Sequence, residues 1–240
     1  MSIGCIDTTQ QYNGQGVVFY LDGSGGGGPI TRWSDEVEDG LLRGGFKGTF
    51  NEFTWNTGFG MLADHISRES YKRERAADLN GYIVEHARDE PDDPIYLVAY
   101  SAGCAVAVYA LEALPDEVMI ERVVLLAPSV SQSYDLRSAL RRVRHTFWVS
   151  RSPHDRVLRE ALPLTGTADG KYDKPAGLDG FVPQVAESGV ASDLPRGYEK
   201  IQYLSWQPSF MAEGFMGDHM DIGQSRFIEL YVAPLLTDEP

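Results

Sequence analysis

Three short segments set the frame for this chain: IYLVAY at 95–100, RVVLLA at 122–127 and TFWVS at 146–150. They are apolar throughout instead of alternating. A strand with one face in water alternates, whereas a strand covered on both faces does not, and double cover is the usual condition of a parallel sheet. Segments with helical spacing lie between the runs, so consecutive strands need right-handed crossovers. Further strands are expected at 16–21, 48–55 and 201–205, and helices at 31–43, 67–88, 102–113, 134–142, 156–162 and 225–235. Over 67–88, Ala76, Leu79, Ile83 and Ala87 share one face, and Arg, Lys and Glu occupy the rest. The expected fold class is α/β: a mostly parallel, open sheet of about six strands with helices on both faces.

The 240 residues, 42% of them hydrophobic, suffice for one core, so residues 1–240 read as a single domain. Segment 162–196 is rich in Gly, Pro, Asp and Ala and interrupts the chain between the last two strands. It is too short and too polar for a core of its own and reads as a surface excursion. A formal net charge of −14 disfavours nucleic acid and anionic membranes as partners. The two cysteines, Cys5 and Cys104, do not make a disulfide framework. The stretch MSIGCIDTTQQ lacks the basic and apolar regions of a signal peptide, and no uncharged run reaches membrane-spanning length. The expectation is a cytoplasmic protein without a membrane span.

The chemistry starts where the 95–100 run ends. Ala99-Tyr100-Ser101-Ala102-Gly103 leads at once into a helix of small apolar residues. Small-x-Ser-x-Gly between a buried strand and a helix is the nucleophile-elbow pattern. The turn is tight, so its close neighbours, Ala99 and Gly103, must be small. Ser101 then projects above the strand end, at a helix N-terminus where developing negative charge is favoured. The plainer reading is a serine N-cap on an ordinary strand–helix unit. A serine hydroxyl is a weak nucleophile and needs a base and an orienting acid, in the chain order Ser, Asp or Glu, His.

Asp155 follows the 146–150 run by a few residues, in SPHDRV, at a helix start, which places its carboxylate on the same rim as Ser101. Asp169, Asp173 and Asp179 rank lower because they lie in the excursion. Of the five histidines, only His219, in GDHMDIGQ, comes after the last strand, where a base would hang over the elbow. His86 lies in a charged helix, His145 begins a strand, His154 adjoins Asp155 and points away from it, and His65 is placed to line the site mouth. Asp218, His219 and Asp221 are too close together to be read as a metal cluster without partners elsewhere.

The loop LDGSGGGG after the 16–21 strand admits two readings. Gly23, Gly25 and Gly28 fit a dinucleotide fingerprint, with Glu52 as a loose candidate for its acidic residue. The same backbone N–H groups can instead face an oxyanion. Taken together, DGSGGGG, AYSAG, SPHDRV and GDHMD, in that order, resemble the α/β-hydrolase fold superfamily in its compact form without a cap domain. The resemblance spans nearly the whole chain. It implies a Ser101, Asp155, His219 series, with oxyanion N–H groups from Ser24 or Gly25 and from Ala102. Two positions depart from the family pattern: Asp22-Gly23 where His-Gly is common, and Ala99 where Gly is commoner.

The function this implies is a serine esterase-type hydrolase that cleaves a carboxylic ester, thioester or amide through an acyl-enzyme on Ser101. It takes a small-molecule acyl substrate and no cofactor or metal. With no large cap in the sequence, the expected substrates are short-chain aryl esters, turned over without interfacial activation. Trp55, Phe59 and Tyr100 are candidates to line the pocket. The alternatives are a catalytically silent protein that keeps the fold and a dinucleotide-binding oxidoreductase.

Overall fold

A computed structural model of the protein describes residues 5–10, 15–26, 33–183 and 196–237. Gly28 of the glycine loop and residues 184–195 of the excursion lie outside the described residues. Among the described residues seven strands join in one sheet: β1 (Cys5–Gln10), β2 (Val17–Leu21), β3 (Thr49–Thr54), β4 (Ile95–Tyr100), β5 (Ile120–Leu126), β6 (Val143–Arg151) and β7 (Ile201–Ser205). Their order is β1-β3-β2-β4-β5-β6-β7. From β3 to β7 every pairing is parallel. These six strands are the ones the apolar runs predict. The addition is β1, which pairs antiparallel on the outside of β3. Its sequence, CIDTTQ, shows neither an apolar run nor alternation, because an edge strand is not obliged to be covered on both faces.

The residues of the central strands alternate between two cores. Phe19, Leu97, Val123 and Phe147 face one, under α3 (Glu69–Asp89) and α4 (Gly103–Ala113). Val18, Val98 and Val124 face the other, under α1 (Trp33–Arg43) and the C-terminal helical residues Phe227, Ile228 and Val232. This double cover is why β2 and β4 read as unbroken apolar runs. Helix α4 is buried from Gly103 to Leu111, so small and apolar residues occupy all its sides.

Two helical expectations change. The segment expected at 134–142 contracts to Arg137–Leu140, preceded by a turn in which Tyr134 N–H donates to Ser131 O at 3.0 Å. The short helix α2 (Met61–His65) has no sequence signal. It is a single turn and a half, too short to show a period. The first half of the excursion is stitched to the body. Gln132 N–H donates to Lys174 O and Ala176 N–H to Val130 O, both at 2.7 Å, and Ala168, Ala176 and Phe181 are buried in the core. Among the described residues no helix is long and apolar enough to cross a membrane.

All parallel strands point the same way, so the loops after β2, β4, β6 and β7 gather on one rim. That rim carries Gly23, Ser101, Asp155 and His219.

Candidate active site

Ser101 occupies the turn between β4 and α4 at φ 52°, a left-handed conformation uncommon for a residue with a side chain. Its N–H donates to Leu126 O at 2.9 Å, which ties the turn to the neighbouring strand. Gly103 has to be glycine here. A Cβ on it would sit 2.4 Å from Asp22 O and 2.9 Å from Leu21 O, inside the end of β2. The turn is therefore tight because two strand ends and a helix start share one place.

The structure brings Ser101, His219 and Asp155 together. His219 Nε2 lies 2.8 Å from Ser101 Oγ, and His219 Nδ1 lies 2.7 Å from Asp155 Oδ2. All three side chains are buried. The second Asp155 oxygen accepts Leu158 N–H at 2.9 Å, so the carboxylate is held at both ends. Two contacts knit the Asp155 loop to the His219 loop. Ser152 Oγ donates to Gly217 O at 2.6 Å, and Arg156 pairs with Asp218, whose carboxylate also accepts His219 N–H at 2.7 Å. Tyr100 completes the support: its hydroxyl donates to His219 O at 2.9 Å. Adjacent to Ser101 in the chain, Tyr100 thereby fixes the height of the imidazole above the turn.

The glycine loop is braced by two carboxylates. Asp22 Oδ1 accepts Gly23 N–H at 2.9 Å and Tyr20 Oη–H at 3.0 Å, while Trp55 Nε1–H donates to Asp22 O at 2.7 Å. From α2, the buried Asp64 accepts Gly25 N–H at 2.8 Å on one oxygen and both the N–H and the hydroxyl of Thr57 at 2.6 Å on the other. Gly25 N–H, one of the two loop donors that the family resemblance implies, is thus taken by Asp64. Sequence reading missed Asp64, because its partners lie 7 and 39 residues away and no local pattern marks it.

The family described as "Alpha/beta hydrolase of unknown function" (DUF900) matches residues 32–169, more than half of the chain. The chain belongs to this family. Two solved structures share the fold of this α/β-hydrolase. A carboxylesterase from Mesorhizobium loti aligns over 95% of this chain and 91% of its own at 15% identity, with a TM-score of 0.51. Est1E from Butyrivibrio proteoclasticus aligns over 97% and 90% at 10% identity, with a TM-score of 0.50. No curated protein matches the chain.

In this α/β-hydrolase the other sequence candidates are engaged elsewhere. Asp169 is bound by the N–H and hydroxyl of Ser131, Asp173 by those of Ser133, and Asp179 by Lys174. His86 meets Asp93, His145 meets Glu121, and the His154 ring packs on Trp206. His65 does line the cavity above Ser101, with Nε2 2.9 Å from Gly166 O, and burial lowers its pKa. Of the three aromatic candidates, Tyr100 lines the cavity. Trp55 is buried behind the loop and Phe59 is 88% exposed.

Burial pushes the Asp22 carboxyl up to about 7, against the lowering effect of hydrogen bonds from Gly23, Tyr20 and Trp33. A carboxyl raised in this way favours the folded state most when protonated. Its contribution is fully present below about pH 4 and is lost as pH rises through about 7. Asp22→Asn keeps an acceptor for Gly23 and Tyr20 and removes the charge. It should therefore gain stability over the parent as pH rises, by on the order of 4 kcal/mol at pH 8 if the full shift is expressed. Urea unfolding at pH 4.5 and 8 measures this. A variant equally destabilised at both values would show that the carboxylate is not strained by burial.

Proposed function

We propose that this hydrolase cleaves a carboxylic ester, or a related thioester or amide, through an acyl-enzyme on Ser101. The single observation that carries the reading is the continuous hydrogen-bond chain from Ser101 Oγ through His219 to Asp155. Ser101 Oγ attacks the carbonyl carbon while His219 Nε2 takes its proton. Asp155 accepts a hydrogen bond from Nδ1–H, which holds the tautomer and stabilises the imidazolium. The tetrahedral oxyanion meets the N–H groups of Ser24 and Ala102, and a donor so placed is worth roughly 3–4 kcal/mol in the transition state. His219 then returns its proton to the departing alcohol. Water, activated by the same imidazole, releases the acid and restores Ser101.

A fluorophosphonate probe tests this directly. The expected result is one adduct, on the peptide that contains Ser101, and none in Ser101→Ala. A protein that takes no label and turns over no activated ester would instead be a silent member of the fold, and the proposal would fail.

A further inference from the structure

The cavity above Ser101 measures about 300 Å³. Among the described residues, no Asp, Glu, Lys or Arg lines it, although 23% of the chain is charged. Met61 and Leu62 of α2 line it, as do Val157 and Leu162 from the helical segment after Asp155. Apart from Ser101 and His219, polar groups are few. The Ser24 hydroxyl is buried without a hydrogen-bond partner, His65 is occupied by Gly166 O, and the Tyr100 hydroxyl is spent on His219 O. A charge carried into this space would lose its hydration and find no counter-charge.

The rim is apolar as well. Met61, Leu62 and Val157 line the cavity and yet are 52%, 62% and 36% exposed. Apolar side chains that border a cavity and remain open to water are covered when a ligand lies across them. The occupant is set by what the cavity contains, namely Ser101 Oγ and His219. His219 must protonate the departing oxygen, which places the alcohol beside His219 and leaves the remaining apolar space to the acyl chain.

We infer that the acyl group is an uncharged chain of medium length; this rests on the acyl-enzyme reading above. At roughly 30 Å³ per water-sized group, the cavity holds about ten non-hydrogen atoms, and the ester group itself leaves space for about six to eight carbons. The sequence, read as lacking a large cap, points to short chains; the apolar lining and rim move the optimum to longer ones. Ala161 lines the cavity from the exposed side of the Val157–Ala161 turn, and its own side chain is the smallest that still has a Cβ.

The test is a series of p-nitrophenyl acetate, butyrate, hexanoate, octanoate and dodecanoate, each held below its micelle concentration so that aggregation plays no part. The expected result is a maximum in kcat/KM at hexanoate or octanoate, at least about tenfold above acetate, since each buried methylene adds to binding. Ala161→Phe sets a bulky ring at the cavity edge and should lower the octanoate-to-acetate ratio about tenfold. Leu62→Asp, at an exposed rim position that tolerates charge in the fold, should lower the same ratio. A profile highest at acetate overturns the inference, as does a ratio unchanged in both variants. Failure of the acyl-enzyme reading looks different: no turnover of any ester and no fluorophosphonate label. A labelled Ser101 with no chain-length preference sinks only the present inference.

Discussion

Ser101→Ala should lower ester turnover by roughly 10⁴- to 10⁶-fold, and His219→Ala by a similar factor, while the double variant loses little more than either alone. The reason is the shared proton path: Nε2, 2.8 Å from Ser101 Oγ, takes the serine proton and passes it on, so without either partner the acyl-enzyme does not form by this route. Stability should move by no more than about 1 kcal/mol in Ser101→Ala. The variant keeps its Cβ at the same positive φ and leaves the turn's tie to Leu126 O intact. Steady-state kinetics on an activated ester, paired with thermal unfolding, measures both. Losses that multiply would mean that Ser101 and His219 act independently, contrary to the proposed mechanism.

The second large effect belongs to a residue that touches no substrate. Asp64→Ala removes the acceptor of three donors at once: Gly25 N–H, Thr57 N–H and the Thr57 hydroxyl. The three bonds are partly buried, so each orphaned donor sits at the low end of the roughly 1–3 kcal/mol cost of a buried one, and a loss of about 2–3 kcal/mol of folding stability is expected. The glycine loop loses its anchor next to Ser24, so kcat should fall with little change in KM, as for a group that positions a transition-state contact. Asp64→Asn retains one acceptor oxygen and should recover part of both losses. If Asp64→Ala were destabilised while kcat stayed at the parent value, the carboxylate would serve the fold and not the position of the loop.

The two predictions draw on different kinds of information. Ser101, Asp155 and His219 stand out in the sequence because each follows a strand end, and strand ends are legible. The apolar runs at 95–100, 122–127 and 146–150 have to be covered on both faces, and a parallel sheet sends every following loop to one rim. The glycine loop was legible as a loop but not as a set of donors. Nothing local separates Gly25 from Ser24 as a donor, because the Asp64 carboxylate that takes Gly25 N–H lies 39 residues away. The edge strand β1 escaped notice because an edge carries no obligation to be apolar, and α2 because it is shorter than the period that would reveal it.

By itself, then, the sequence determined which segments are buried strands, their parallel sense, and three polar residues placed after strands on one rim. Those properties follow from local periodicity and from the residue sizes a tight turn admits. Only the tertiary structure decided what stands between these residues. Tyr100 reaches across 119 positions to the His219 carbonyl, Ser152 across 65 to Gly217, and Asp64 across 39 to Gly25. A hydrogen bond needs its partners within about 3 Å in space and nothing of their separation along the chain. No period or spacing in the sequence encodes such a pairing, and the apolar cavity enclosed by α2 and the 157–165 segment exists only after those distant loops have been fixed.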